Sequence, residues 1–175
     1  NVISSYGADS IRFFILSDSP PGKDIQWSDE GISAAYKFLQ KLWNLNLNII
    51  NKKKIEKNSD VDIEIEKYTN KMIFEITKNL DNFYYNVVIA NIHDIYNKFI
   101  NFSNNSNASY KVLIKNYKKL LILMMPILPH FTSECLSKLE TNLILNSLKW
   151  PNYDPNLIKN NECNIVVQIN GRKNS

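Results

Sequence analysis

Lys37 and Lys41 stand four residues apart in a segment of helical hydrophobic period, so both ammonium groups lie one turn apart, opposite Leu39 and Leu42. Two cations at that spacing can follow one phosphate track. Lys111, Lys115, Lys118 and Lys119 form a second basic ridge of the same kind. Solvated polar faces carry such charges too, and the charge pattern alone does not separate the two readings. Other chemistry is poorly provided for. His93 and His130 are isolated, and no Ser/His/Asp, paired-thiol or carboxylate-histidine cluster assembles, so no catalytic or metal-ligating residue is expected. His93 reads as a structural residue on a helix flank. Gly7, Gly22, Gly31 and Gly171 never take the spacing that lets backbone amides cradle phosphates, and no cofactor is expected within the chain. Function then rests on surface recognition.

The elements that must hold these lysines follow from hydrophobic period and punctuation. Asp9 can cap a first helix with Ile11, Phe14 and Ile15 as its core stripe, broken by Pro20-Pro21-Gly22. Ser28, followed by Asp29 and Glu30, is an N-cap for a second helix whose stripe is Ile32, Ala35, Tyr36, Leu39, Leu42 and Trp43. After a polar linker, Ile65, Tyr68, Met72, Ile76 and Leu80 define a third helix, whose period outweighs the alternation at Val61 to Glu64. Tyr85, Ile89, Ile92, Tyr96 and Phe99 define a fourth, ended by a surface loop from Ser103 to Ser109. Leu113, Tyr117, Leu120, Leu121 and Met124 define a fifth, stopped by Pro126, and a short sixth carries Phe131, Cys135, Leu136 and Leu139. Beyond Trp150-Pro151 the helical period stops, and Cys163 to Ile169 alternates as a strand ended by Asn170-Gly171 would. The expected fold is all-α, a helical bundle with a short C-terminal β segment, its core built on Leu39, Leu42, Trp43, Ile76, Ile92, Tyr96, Leu120 and Leu121.

Composition agrees. With 44% hydrophobic and 22% charged residues in 175, the chain can bury one sizeable core. A formal net charge of +4 permits an anionic partner without requiring one. Cys135 and Cys163, far apart and without a CxxC, indicate neither a disulfide scaffold nor a zinc ribbon, and a reducing compartment. The longest apolar run, Leu120 to Met125, falls far short of the roughly 20 residues that span a bilayer, so a soluble protein is expected. Trp27 and Trp43, beside a cap and within a stripe, read as core residues.

Tyr6-Gly7-Ala8-Asp9, Ser19-Pro20-Pro21, Trp27-Ser28-Asp29, Pro126-Ile127-Leu128-Pro129-His130, Trp150-Pro151 and Val166-Val167-Gln168-Ile169-Asn170-Gly171 together resemble the bacterial leucyl-tRNA synthetases. The resemblance places the chain after the Lys-Met-Ser-Lys-Ser loop of a class I catalytic domain and implies the anticodon-binding-type helical fold. It implies residues 1–27 as a connector from the catalytic domain, 28–150 as the bundle, and 151–175 as a linker and the opening of a C-terminal domain. It implies tRNA(Leu) as partner, contacted at the positions of Lys37 and Lys41. Arg12 would meet an acidic or backbone partner where bundle joins catalytic domain, and the Pro-x-x-Pro-His turn would be structural. The parent enzyme would ligate leucine to tRNA with ATP and magnesium, as a cytoplasmic monomer, at sites outside this chain, whose own catalysis is expected to be nil. The corresponding part of an isoleucyl, valyl or methionyl enzyme, or a stand-alone helical module that binds protein, stay open beside it.

Overall fold

The computed structural model describes residues 2–18, 24, 26–56, 59–140, 144, 147–158, 168–169 and 172–173. Helices dominate them: α1 (Val2–Tyr6), α2 (Ala8–Asp18), α3 (Asp29–Ile50), α4 (Asp60–Asp81), α5 (Tyr85–Asn104), α6 (Tyr110–Met124), α7 (Pro129–Leu139) and α8 (Pro155–Ile158). Gly7, at φ +77°, ends α1 in the left-handed conformation that a side chain would strain. Helices α1 and α8 are too short to show a hydrophobic period in the sequence.

Helices α3 and α4 start where side-chain chemistry satisfies their first amides, whereas α5 and α6 have no side-chain cap. The Ser28 hydroxyl accepts from the Gly31 amide at 3.0 Å, with Asp29 and Glu30 in the positive first turn of α3. Ser59 and Asp62 form a capping box at the start of α4, so the helix begins through the alternating residues and the period does prevail there. Asp62 has a second task. Its other carboxylate oxygen accepts from the Ser109 amide at 2.8 Å, tying the start of α4 to the start of α6.

The Ser103–Ser109 stretch is therefore more than a surface loop. Its first two residues still belong to α5, and Ala108 and Ser109 are buried. The Ser59 hydroxyl donates to the Asn107 carbonyl at 2.8 Å, and Lys52 Nζ donates to the carbonyls of Ser103 (2.9 Å) and Asn105 (2.7 Å). A cation thus sits on the negative end of α5.

The core runs between α3, α4, α5 and α6, with Leu42, Ile76, Ile92, Leu120 and Leu121 buried as expected, whereas Leu39, Trp43 and Tyr96 are only half-buried. On α3 the buried arc is rotated: Phe38, Leu45, Asn46 and Ile49 complete it, and Tyr36 is exposed. On α2 the buried pair is Phe13 and Phe14, while Ile15 faces out. Both shifts have one cause. Helix α2 packs against α3 and α5 together, which selects the Phe13 side of α2 and the Phe38 side of α3, and their rings meet at 5.3 Å. Gly31 allows this approach, because a Cβ there would collide with the Phe14 ring.

Trp27 is a correction: it is 48% exposed, its ring edge-on to Phe14 at 5.5 Å and its indole N–H donating to Asp29 at 2.9 Å. It covers the first turn of α3 from outside. Near the other end, residues 147–158 fold back on α4, where Trp150 donates to the Thr77 hydroxyl at 2.9 Å and the Asp154 amide donates to Asn70 at 2.7 Å. Strands β1 (Gln168–Ile169) and β2 (Arg172–Lys173) pair antiparallel. Cys163 to Val167 and Asn170-Gly171, where the sequence suggests the rest of a strand and its end, lie outside the described residues.

Candidate nucleic-acid interface

Positioning of the α3 face begins on α2, where Asp9 and Arg12, three residues apart, grip the turn between α6 and α7. Asp9 is not the cap of its own helix. Its carboxylate accepts from the Phe131 amide at 2.6 Å and contacts His130 Nδ1 at 2.9 Å. Helix α7 has Pro129 at its first position and no side-chain cap of its own, so Asp9 satisfies an amide that would otherwise be orphaned. Arg12 donates from Nε to the Ile127 carbonyl (3.0 Å) and from a terminal nitrogen to the Pro126 carbonyl (2.6 Å). Its partner is backbone, as one of the two expected kinds, but it belongs to this chain's own Pro-x-x-Pro-His turn. That turn is structural, and its role is to lock α2 across the bundle.

With α2 locked, α3 presents Lys37 and Lys41 to solvent, and among the described residues neither forms an ion pair. Between them in sequence, Phe38 turns inward and receives the imidazole of His93 from α5, ring centroids 3.8 Å apart and planes tilted by 36°. Burial first, and then the charge of Lys41, lowers the pKa of His93 below its ordinary value. Beside it lies a depression of about 300 Å³ lined by Phe13, Phe14, Ala34, Phe38 and His93. Period reasoning placed His93 on a helix flank, which is right; its neighbourhood with Lys41 required the α3–α5 contact.

The second ridge divides. Lys111 and Lys115 are exposed, and Lys54, from the link between α3 and α4, joins them around a groove of about 540 Å³ floored by Tyr110 and Ile114. Lys54 Nζ lies 5.9 Å from the centre of the Tyr110 ring. Lys118, also on this groove, is paired with Glu140. Lys119 departs from the set: it is half-buried, and burial first, then Lys115, lowers its pKa, against the opposing charge of Glu66 on α4. Lys54 escaped sequence analysis because no helical spacing links it to the ridge.

Cys135 is buried on α7, where burial and then the nearby Glu134 push its thiol up to about 12. At neutral pH such a thiol is almost wholly protonated and a poor nucleophile. Among the described residues no helix is long and apolar enough to cross a membrane.

An all-helical arrangement whose lysine faces are held by caps and turns leaves several families in play, and comparison with known proteins decides among them. Residues 62–175 match the family described as the anticodon-binding domain of tRNA ligase. The chain belongs to that family. Among similar curated proteins are the leucine–tRNA ligases of Neorickettsia sennetsu, 37% identical over 98% of the chain, and of Bartonella quintana, 32% identical over 99%. The chain spans about a fifth of the length of these relatives, 20% and 21%. Among solved structures, the LeuRS of Agrobacterium radiobacter, in a ternary complex with tRNA and LeuAMS, superposes with a TM-score of 0.78 over 90% of the chain and 21% of its own, at 24% identity. That likeness carries the fold. This tRNA-ligase domain therefore has the all-α anticodon-binding architecture expected from its motifs, and the similarity over its full length favours the leucyl branch over its isoleucyl, valyl and methionyl neighbours.

Proposed function

We propose that this chain is the tRNA-binding helical domain of a leucine–tRNA ligase, and that it positions tRNA(Leu) through phosphate contacts made by Lys37 and Lys41. The observation that carries the reading is the pair itself: two exposed cations one turn apart on α3, without ion-pair partners among the described residues, in a chain similar along nearly all its length to leucine–tRNA ligases. Unpaired ammonium groups on a rigid helix attract phosphates without first breaking a salt bridge, and phosphate contacts position an RNA without reading its sequence. Lysine in place of arginine keeps the charge and forgoes the bidentate fork. The groove of Lys54, Lys111 and Lys115, also lined by Glu56, is a second phosphate-binding stretch, with Lys118 paired to Glu140 and Lys119 half-buried.

The whole ligase would join leucine to tRNA with ATP and magnesium, in the cytoplasm and as a monomer, with residues 1–27 leading from its catalytic domain and 151–175 opening a C-terminal domain with a β segment. We place its nucleotide chemistry in other parts of the ligase; in support, Gly7 separates two helices and the space a Cβ would take at Gly31 is filled by Phe14, so neither glycine opens a cradle of amides.

The test is the double change Lys37→Glu, Lys41→Glu in the full-length ligase. Loss of two phosphate contacts should make the slope of log K against log salt shallower by about 1.8 for a duplex-like backbone. The KM for tRNA should rise while leucine-dependent pyrophosphate exchange stays unchanged. Wild-type tRNA affinity in the double variant would return both lysines to a solvated face.

A further inference from the structure

Four features converge on His93. The ring lies on Phe38, 3.8 Å between centroids, and meets Phe13 edge-on at 5.5 Å, so its plane is held by two aromatic residues of α3 and α2. It nevertheless remains exposed to solvent. Among the described residues neither ring nitrogen has a hydrogen-bond partner. Finally, Phe38 lies between Lys37 and Lys41 on α3, and Lys41 is near enough for its charge to act on the imidazole. A ring needed only for packing could be apolar. This one is oriented by its faces and keeps its polar edge open beside an unpaired ammonium group.

We propose that His93 is the third anion-binding group of the Lys37–Lys41 face, its imidazole donating a ring N–H to a backbone phosphate of bound tRNA that Lys41 also contacts. The inference rests on the reading of Lys37 and Lys41 as phosphate contacts. It extends the track from α3 onto α5, so that one RNA backbone spans two helices and reads their relative placement. Shape-dependent docking follows, because two lysines on one helix accept many backbone paths whereas a third group on a neighbouring helix accepts few.

The proton balance has a definite sign. In the free protein the charge of Lys41 on α3 acts on His93; α2 presents Phe13, and Asp94, next to it on α5, is engaged by the Tyr68 hydroxyl of α4 at 2.8 Å. Burial and Lys41 favour the neutral imidazole. A phosphate brings negative charge that offsets Lys41 and favours the imidazolium, so the pKa is higher in the complex than in the free protein. Binding then takes up a proton, and affinity rises as pH falls through the bound-state pKa, levelling off below the free-state value.

The experiment measures tRNA(Leu) affinity of the full-length ligase near pH 6 and near pH 8.5 at fixed salt, with proton uptake from calorimetry in two buffers of different ionisation enthalpy. The variants are His93→Phe, His93→Gln, His93→Lys and the lysine double change. Wild type should bind roughly three- to tenfold more tightly at the lower pH, the effect of one charge-assisted hydrogen bond at an exposed site. His93→Phe keeps the stack on Phe38 but should lose that gain and the proton uptake, as should His93→Gln, whereas His93→Lys should bind tightly at both pH values. If both His93→Phe and His93→Gln keep the wild-type pH profile while the lysine double variant is weakened, His93 is a packing residue and the lysine reading stands. If the double variant binds as wild type does, the track and His93 fall together. Leucine-dependent pyrophosphate exchange reports folding, and should one substitution disturb it, the pH profiles of the other two decide.

Discussion

At the scale of single residues, burial and pairing separate the polar groups that hold this domain together from those it leaves free. Asn46 is the outlier. It is 0% exposed on α3, and neither its amide nitrogen nor its oxygen has a hydrogen-bond partner among the described residues. An unpaired buried amide costs free energy, and an apolar side chain of similar length recovers it. Asn46→Leu should therefore stabilise the domain by about 1 kcal/mol, read as a higher urea midpoint at unchanged m-value. A lower midpoint would mean that the amide has a partner in solution or that the site cannot hold the added carbon. Asp62 shows the opposite arrangement, a buried carboxylate that accepts from Ser59 on one oxygen and from Ser109 on the other, so both oxygens have a partner at the junction of two helix starts.

At the scale of elements, the recurring device is one helix end completed by another element. Lys52 closes the C-terminal end of α5, Asp62 joins the starts of α4 and α6, and Asp9 caps α7 from α2. The last is the most consequential, since α7 has no cap of its own and α2 carries Phe13 into the α3–α5 seam. Asp9→Ala should cost about 1 to 3 kcal/mol, the range for leaving a buried partner unsatisfied, and Asp9→Asn should cost less because one acceptor oxygen remains. Chemical denaturation of the three proteins measures this. Equal stability of Asp9→Ala and wild type would show that α7 starts without help from α2. The face proposed to contact tRNA should respond to the same substitution, because α2 packs against both α3 and α5.

At the scale of the whole molecule, the chain is a basic helical body about a fifth the length of its ligase relatives, with a net charge of +4. Two of its cations, Lys37 and Lys41, are exposed on α3, and Lys54, Lys111, Lys115 and Lys118 line the groove beside α6 together with Glu56, an arrangement that suits attraction of a polyanion more than chemistry on it. Purified by itself, the chain should neither exchange pyrophosphate with ATP in a leucine-dependent way nor charge tRNA. Radiolabelled exchange at high protein concentration checks this, and turnover proportional to protein through successive purification steps would overturn it.

Local signals were sufficient for the helices. The cap at Ser28, the stop at Pro126 and the 3.6-residue periods are interactions within a few residues, so α3 to α7 were legible from the chain alone, as were the exposed lysines at 37 and 41, whereas the capping box at Ser59 lay hidden in what reads as a polar linker. Motifs such as Trp27-Ser28-Asp29 and the Pro-x-x-Pro-His turn were legible as resemblance to a family. What tertiary structure alone decided is which arc of each helix is buried and which residues meet across elements. Hydrophobic period gives the existence of a stripe, but its rotation depends on the neighbour, and α2 packing on both α3 and α5 chose Phe13 and Phe38 over Ile15 and Tyr36. Trp27 ended outside the core because a tryptophan beside a cap can cover it from either side. Asp9 with Phe131, Lys52 with Ser103, Lys54 with Tyr110 and His93 with Phe38 are pairs separated by tens of residues or joined across a link, and no spacing along the chain encodes them. Such contacts exist only once the helices have packed, because packing is what brings distant residues within hydrogen-bond or ring-contact range.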